Sequence, residues 1–277
     1  MYSYEKEPME ILIPVPNGTY EITLSVTASE DTVFTVLAQT RRIMLRDVQI
    51  KRGEKHSYTF AVSVCDHNVR KCGVEIRILC DGGLTAAAAV SMARLPQLYV
   101  CGGSDAADYP AEYPYDPTSA RCGWGQAIPQ FFDEGIAVSN RSHSGFTTAD
   151  LDLGSLNIRC GDAVLVQLDS DCCAERLRRL ADKVQGAGGH IIFFSPISGM
   201  NSDEYGHIKS SAADMDIPFI DMHRITAEVF AKTLFLSDGT YTNDIGGELA
   251  AKLMAKELLN LDCEPLSKHI KADMLTK

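Results

Sequence analysis

The chain has no apolar stretch long enough to span a bilayer. Its run of small apolar residues, Ala86 to Val90, falls far short of the roughly 20 residues a transmembrane helix needs. The amino terminus, Met1-Tyr2-Ser3-Tyr4-Glu5-Lys6-Glu7, lacks the apolar centre of a signal peptide, so a cytoplasmic protein with no membrane partner is expected. Positive charge is scarce: 26 Lys and Arg against 37 Asp and Glu leave a formal net charge of −11, which argues against nucleic acid as a partner. No C-x-x-C pair occurs among the nine cysteines, and Cys172 and Cys173 are adjacent. That pattern indicates neither a zinc site nor a dithiol redox motif, and it suits small buried thiols in a reducing compartment. No cofactor is expected.

What is present suffices for a real core. A 45% hydrophobic and 23% charged chain of 277 residues can make one large domain or two ordinary ones. Residues 11 to 95 read with period two. Tyr20, Ile22, Leu24 and Val26 alternate with polar neighbours, as do Tyr58, Phe60, Val62 and Val64, and then Val74, Ile76 and Ile78. Pro16-Asn17-Gly18, Arg52-Gly53-Glu54 and Asp81-Gly82-Gly83 supply turns between them. Short strands with one polar face predict a small all-β sandwich over residues 1–95, ending near Leu95-Pro96. A structural module packed on the remainder is favoured over a sugar-binding one.

From residue 96 to 277 the pattern changes to strands alternating with helices. Strands are predicted at Leu98-Tyr99-Val100, Ile136-Ala137-Val138, Ala163 to Leu168, Ile191 to Phe194 and Pro218 to Asp221. Helices are predicted at Trp124 to Phe132, Ala174 to Val184 and Gly246 to Leu259. That alternation means α/β: a parallel sheet covered on both faces. The pivotal stretch is Tyr99-Val100-Cys101-Gly102-Gly103-Ser104-Asp105, a buried strand that runs into two glycines and a serine. Ser104 is thereby delivered to the carboxyl edge of the sheet, where such folds bind ligands, and is a candidate nucleophile. Loops after the following strands bring Asn140, His143 and Gly145, then Asp169, Ser170 and Asp171. A late loop brings Asp238, Tyr241, Asn243 and Asp244.

These residues, together with Glu112-Tyr113-Pro114-Tyr115-Asp116-Pro117, Gly123-Trp124-Gly125-Gln126, His143-Ser144-Gly145, Gly161-Asp162 and Thr242-Asn243-Asp244, resemble the SGNH (GDSL-type) hydrolases. The branch resembled is that of the rhamnogalacturonan acetylesterases, some of which also carry an N-terminal β-sandwich. The resemblance implies a three-layer α/β/α, flavodoxin-like SGNH-hydrolase domain and an acylated oligosaccharide as partner. It places the catalytic serine at Ser104 and the orienting aspartate at Asp238. The oxyanion hole would comprise Ser104, Gly145 and the residue at 171. Three departures stand out. The family's Gly-Asp-Ser-Thr is Gly102-Gly103-Ser104-Asp105 here, and its Gly-His-Asn-Asp is Asp169-Ser170-Asp171-Cys172, with Asp171 in place of the asparagine. Its Asp-x-x-His is Asp238-Gly239-Thr240-Tyr241, with Tyr241 in place of the histidine.

The last two departures weaken ester hydrolysis. A serine hydroxyl needs a base, and a tyrosine with an ordinary pKa near 10 does not serve as one at neutral pH. Loss of a triad member costs on the order of 10⁴ in rate, and loss of an oxyanion donor about 3 kcal/mol. The expectation is a catalytically impaired member that binds carbohydrate or acts as a scaffold. The alternatives are an active serine esterase that uses Ser104 with His143 as a non-standard base, and a purely structural or interaction protein. No metal site is expected, although Asp105, Asp169, Asp171 and Asp238 would converge near Ser104, and a carboxylate cluster suits hard cations.

Overall fold

The computed structural model describes residues 1–39, 42–65, 73–110, 113–149, 151–198, 200–229, 234–236 and 241–276. Seven strands precede residue 96. The eleven residues of β2 (Gly18–Ala28) alternate as the sequence pattern demands, with Tyr20, Ile22, Leu24 and Val26 buried. This strand pairs antiparallel with β5 (Lys55–Val64) on one side and β7 (Leu84–Met92) on the other. A second antiparallel sheet has the order β1 (Met9–Ile13), β6 (Val74–Cys80), β3 (Thr32–Ala38), β4 (Arg42–Ile50). Facing side chains of the two sheets, Ile22 and Phe60 from one and Phe34 and Ile76 from the other, share a single hydrophobic cluster.

Four of these strands were not legible as such. In β7 both faces are small: Ala87 and Ala89 are exposed while Ala86 and Ala88 are half-buried, so the hydropathy barely alternates. In β3 five successive residues are buried, from Phe34 to Ala38, so no alternation of buried and exposed positions marks the strand.

The second half holds a five-stranded parallel sheet, made of β8 (Gln97–Cys101), β9 (Ala137–Asn140), β10 (Ala163–Gln167), β11 (His190–Phe194) and β12 (Phe219–Ile220). Its spatial order is β12-β11-β10-β8-β9, with every pairing parallel. The chain leaves β8 towards β9 on one side and reaches β10 on the other. The crevice beyond β8 and β10 is therefore a topological switch point, the place where open α/β sheets bind ligands.

Helices cover both faces. On one, Leu98, Val100 and Phe194 pack against α1 (Trp124–Ala127) and α5 (Asp244–Asn260), through Trp124, Ala251 and Met254. On the other, Tyr99, Val166 and Phe193 meet Leu177 and Val184 of α2 (Ala174–Gly186) and Ile208 of α3 (Ser202–Ala213). Two short helices, α4 (Met222–Ala227) and α6 (Ala272–Leu275), complete the set. The helix expected over 124–132 is cut short: α1 ends at Ala127 and a 3-10 turn follows, with Pro129, which has no N–H to donate, in its first positions. Helix α3 escapes periodicity because only Ile208, Ser211 and Ala212 of its twelve residues are buried. Its sequence signal is instead the capping box Asn201-x-x-Glu204, in which each side chain satisfies the other residue's backbone N–H. Among the described residues no helix is long and apolar enough to cross a membrane.

The two halves are joined by buried polar contacts from β4. Arg42 donates to the carbonyl of Val138 (3.0 Å) and lies 3.5 Å from the Asp108 carboxylate, with both side chains almost fully buried. Arg46, four residues further along the strand, contacts Asp244 at 2.6 Å and Glu248 at 3.0 Å on the first turns of α5. The backbone of Tyr4 also exchanges two hydrogen bonds with that of Tyr115, at 2.9 and 2.8 Å.

Candidate active site

Ser104 follows β8 directly, in a tight turn. The Gly103 carbonyl accepts from the Ala106 N–H (3.1 Å) and the Ser104 carbonyl from the Ala107 N–H (3.3 Å). Three neighbours fix this turn. Gln167, the polar last residue of the otherwise apolar β10, accepts from the Gly103 N–H at 3.0 Å. Tyr109 donates its hydroxyl to the Ser104 carbonyl at 2.9 Å; burial pushes that phenol up to about 12, so it stays a donor. Asn140, at the end of β9, donates from Nδ2 to the Ala106 carbonyl and to Asp108, both at 2.7 Å. Gly123 and Gly125 allow α1 to pack directly under the turn: a Cβ at either would stand 2.3 Å from the carbonyl oxygen of Ala107 or Ala106.

Asp105 points inward. Its carboxylate accepts from the backbone N–H of Ile197 (2.9 Å) and Ser198 (3.3 Å), tying the loop after β11 to the serine turn. Burial raises its pKa above the ordinary value, against the lowering by these hydrogen bonds.

Around the serine lies a cavity of about 290 Å³. Gly145 forms one wall at a φ of +77°, a left-handed conformation that suits glycine. Phe146, Leu168, Met200 and Ile208 make an apolar flank, and Asp169, Ser198 and Glu204 a polar one. Asp169 is held by two backbone donors, Asp171 at 2.8 Å and Thr148. The aspartate expected at the side-chain oxyanion position, Asp171, is exposed and is not among the residues lining the cavity; Asp169 and Ser170 are.

The histidines lie elsewhere. His143 is exposed, with Nδ1 3.1 Å from the Ser144 carbonyl and its ring edge-on to Phe146. His223 sits against the Ile197 carbonyl (3.1 Å) and the Tyr205 ring, and His207 against the Cys172 carbonyl (2.9 Å). Among the described residues no histidine lines the cavity, and none hydrogen-bonds the Ser104 hydroxyl.

Asp238 lies outside the described residues. Tyr241, in place of the expected histidine, stacks under the Arg121 guanidinium, 3.7 Å from the ring centroid, with the Tyr109 ring 6.1 Å away. Beside it a second hollow of about 430 Å³ opens between Tyr109, Pro114, Asp116 and Arg121. As to the carboxylates Asp105, Asp169 and Asp171, the described residues contain no group of three or more His, Cys, Asp or Glu arranged to hold a metal ion.

Sequence reasoning overlooked Gln167 and Glu204 as site residues. Gln167 had a readable signal, a lone amide closing an apolar strand. Glu204 had only its cap, because α3 itself was not foreseen.

No family model matches the chain. It is 26% identical over 223 residues to the rhamnogalacturonan acetylesterase RhgT of Bacillus subtilis (strain 168), a match covering 63% of this chain and 94% of that protein. Among solved structures, the Bacillus subtilis protein YxiM superposes with a TM-score of 0.53 at 20% identity, covering 93% of this chain and 81% of that one. A Corynascus thermopiles carbohydrate esterase family 2 enzyme with a carbohydrate-binding domain reaches a TM-score of 0.43 at 10% identity, over 93% of this chain and 98% of that one. The sequence match to an acetylesterase, on a parallel sheet with a serine at its switch point, relates this chain to the SGNH/GDSL hydrolase superfamily.

Proposed function

We propose that this protein is a catalytically impaired relative of the carbohydrate esterases that binds an acylated oligosaccharide at the Ser104 cavity without turning it over. One observation carries the reading: the serine has no imidazole beside it among the described residues, while Tyr241, in the base's place, is stacked beneath Arg121. The serine turn, the Gly145 wall and an apolar flank line the cavity, which offers a cleft for an acyl group beside a serine that has no imidazole next to it among the described residues. Ser104, Gly145 and the loop carrying Asp169 and Asp171 would hold the ester, with Asp238 and Tyr241 as remnants of the base pair. Relation to an enzyme named for rhamnogalacturonan acetyl groups supports carbohydrate as the ligand class. The N-terminal sandwich, residues 1–95, serves as a structural module for residues 96–277, as the buried Arg42 and Arg46 contacts favour. A cytoplasmic setting fits the eight described cysteines, all of which are free thiols.

A serine-directed fluorophosphonate probe tests the reading directly. No labelling is expected, alongside calorimetric binding of acetylated oligosaccharides that survives Ser104→Ala. Labelling that vanishes in Ser104→Ala would instead establish a working nucleophile and defeat the proposal.

A further inference from the structure

Granted that the Ser104 cavity binds sugar, we infer that it selects neutral acylated oligosaccharides and rejects those built from uronic acids. The charge on its walls has one sign. Asp105, Asp169 and Glu204 all line it, and among the described residues no lysine, arginine or histidine does. Each carboxylate is held by backbone N–H donors rather than by a cation. Asp105 takes Ile197 and Ser198, Asp169 takes Thr148 and Asp171, and Glu204 takes Asn201 at 2.9 Å. Hydrogen bonds of that kind fix the acids in place without supplying a counter-charge across the cavity.

Asp169 and Glu204 are only half-buried and open towards bound ligand. Arg176, the cation near this loop, donates to the Thr148 hydroxyl (3.4 Å) and the Asp171 carbonyl (3.3 Å) and does not line the cavity. Recognition of a carboxylated sugar ordinarily uses a cation, above all a bidentate arginine. Here a uronate would lose hydration to meet two like charges, whereas neutral hydroxyls would find acceptors in Asp169 and Glu204 and a hydroxyl partner in Ser104. Phe146, Leu168, Met200 and Ile208 would cover the acyl group.

The test is isothermal titration of the full chain with acetylated xylotetraose and with acetylated tetragalacturonate. The neutral ligand is expected to bind at least about tenfold more tightly at low salt, because screening is then weakest. The gap should narrow as salt is raised, and Asp169→Asn with Glu204→Gln should bring it below about threefold. Equal or tighter binding of the uronate would overturn the charge selection while leaving the binding reading intact. So would a gap insensitive to both salt and the double variant. Should the variant misfold by circular dichroism, the salt series on the unaltered chain decides alone. If neither sugar binds, the binding reading falls and takes this inference with it.

Discussion

The Arg46 guanidinium lies 2.6 Å from the Asp244 carboxylate, and this contact joins β4 of the N-terminal half to the first turn of α5, which begins three residues after Tyr241. Burial alone would depress the arginine, but Asp244, Tyr115 and Glu248 outweigh it and hold the group well above its ordinary value. Arg46→Met would leave a buried Asp244 and a half-buried Glu248 without their cation. The expected cost is about 3–5 kcal/mol in urea unfolding, since breaking a buried pair strands a charge. A cost below about 1 kcal/mol would mean that the pair is compensated elsewhere.

The same geometry predicts that residues 96–277 expressed alone do not fold stably. Without β4, Asp108, Asp244 and Glu248 lose Arg42 and Arg46, and Tyr115 loses the backbone partner Tyr4. Circular dichroism and proteolysis of the isolated fragment should show an open, readily cleaved chain. A cooperative transition matching that of the full protein would contradict this.

Asp105 gives a pH dependence with a definite sign. Its carboxyl is raised in the folded state, chiefly by burial, so the native protein binds this proton more tightly than the unfolded chain does. The stability it contributes is complete below the ordinary carboxylate value and is lost as pH rises through the folded value. Asp105→Asn removes that dependence. Measured by urea unfolding from about pH 4 upward, the stability of wild type relative to Asp105→Asn should fall with rising pH. The opposite slope would mean that the Ile197 and Ser198 N–H groups outweigh the burial.

If Tyr241 stands where a base belongs, Tyr241→His should restore hydrolysis; Asp171, exposed and outside the cavity wall, is left unchanged. A positioned imidazole contributes about 10²–10⁴-fold, so a gain of at least about tenfold on p-nitrophenyl acetate is expected. The gain must vanish when Ser104→Ala is added. A folded but silent Tyr241→His variant would show that the serine turn itself, with Gly103 and Asp105 flanking the nucleophile, has drifted beyond repair.

Much of this architecture was legible in the chain. The alternation of Tyr20, Ile22, Leu24 and Val26 announced β2, and the apolar runs at 98–100, 163–168 and 191–194 announced the central parallel strands, because burial on one or both faces writes itself directly into hydropathy. Ser104 was legible too, as a small residue after a buried strand and two glycines. The alanine strand β7 and the polar helix α3 were not, since small or polar side chains leave no period to read. The loop after β10 was harder still: whether Asp169 or Asp171 faces the cavity depends on the hydrogen bonds from Thr148 and from the Asp171 backbone that turn the loop, and a one-dimensional pattern holds no trace of them.

The sequence by itself determined the α/β order of the second half and the position of Ser104 at a strand end, because local periodicity and residue identity are properties of the chain. Only the tertiary structure decided that Arg42 and Arg46 lock the two halves together, that Tyr241 lies beneath Arg121 and that the cavity at Ser104 is walled by Asp169 and Glu204. Those are meetings of residues as many as about two hundred positions apart, and burial fixes them: a charge taken out of water must find a partner wherever the packed core brings one.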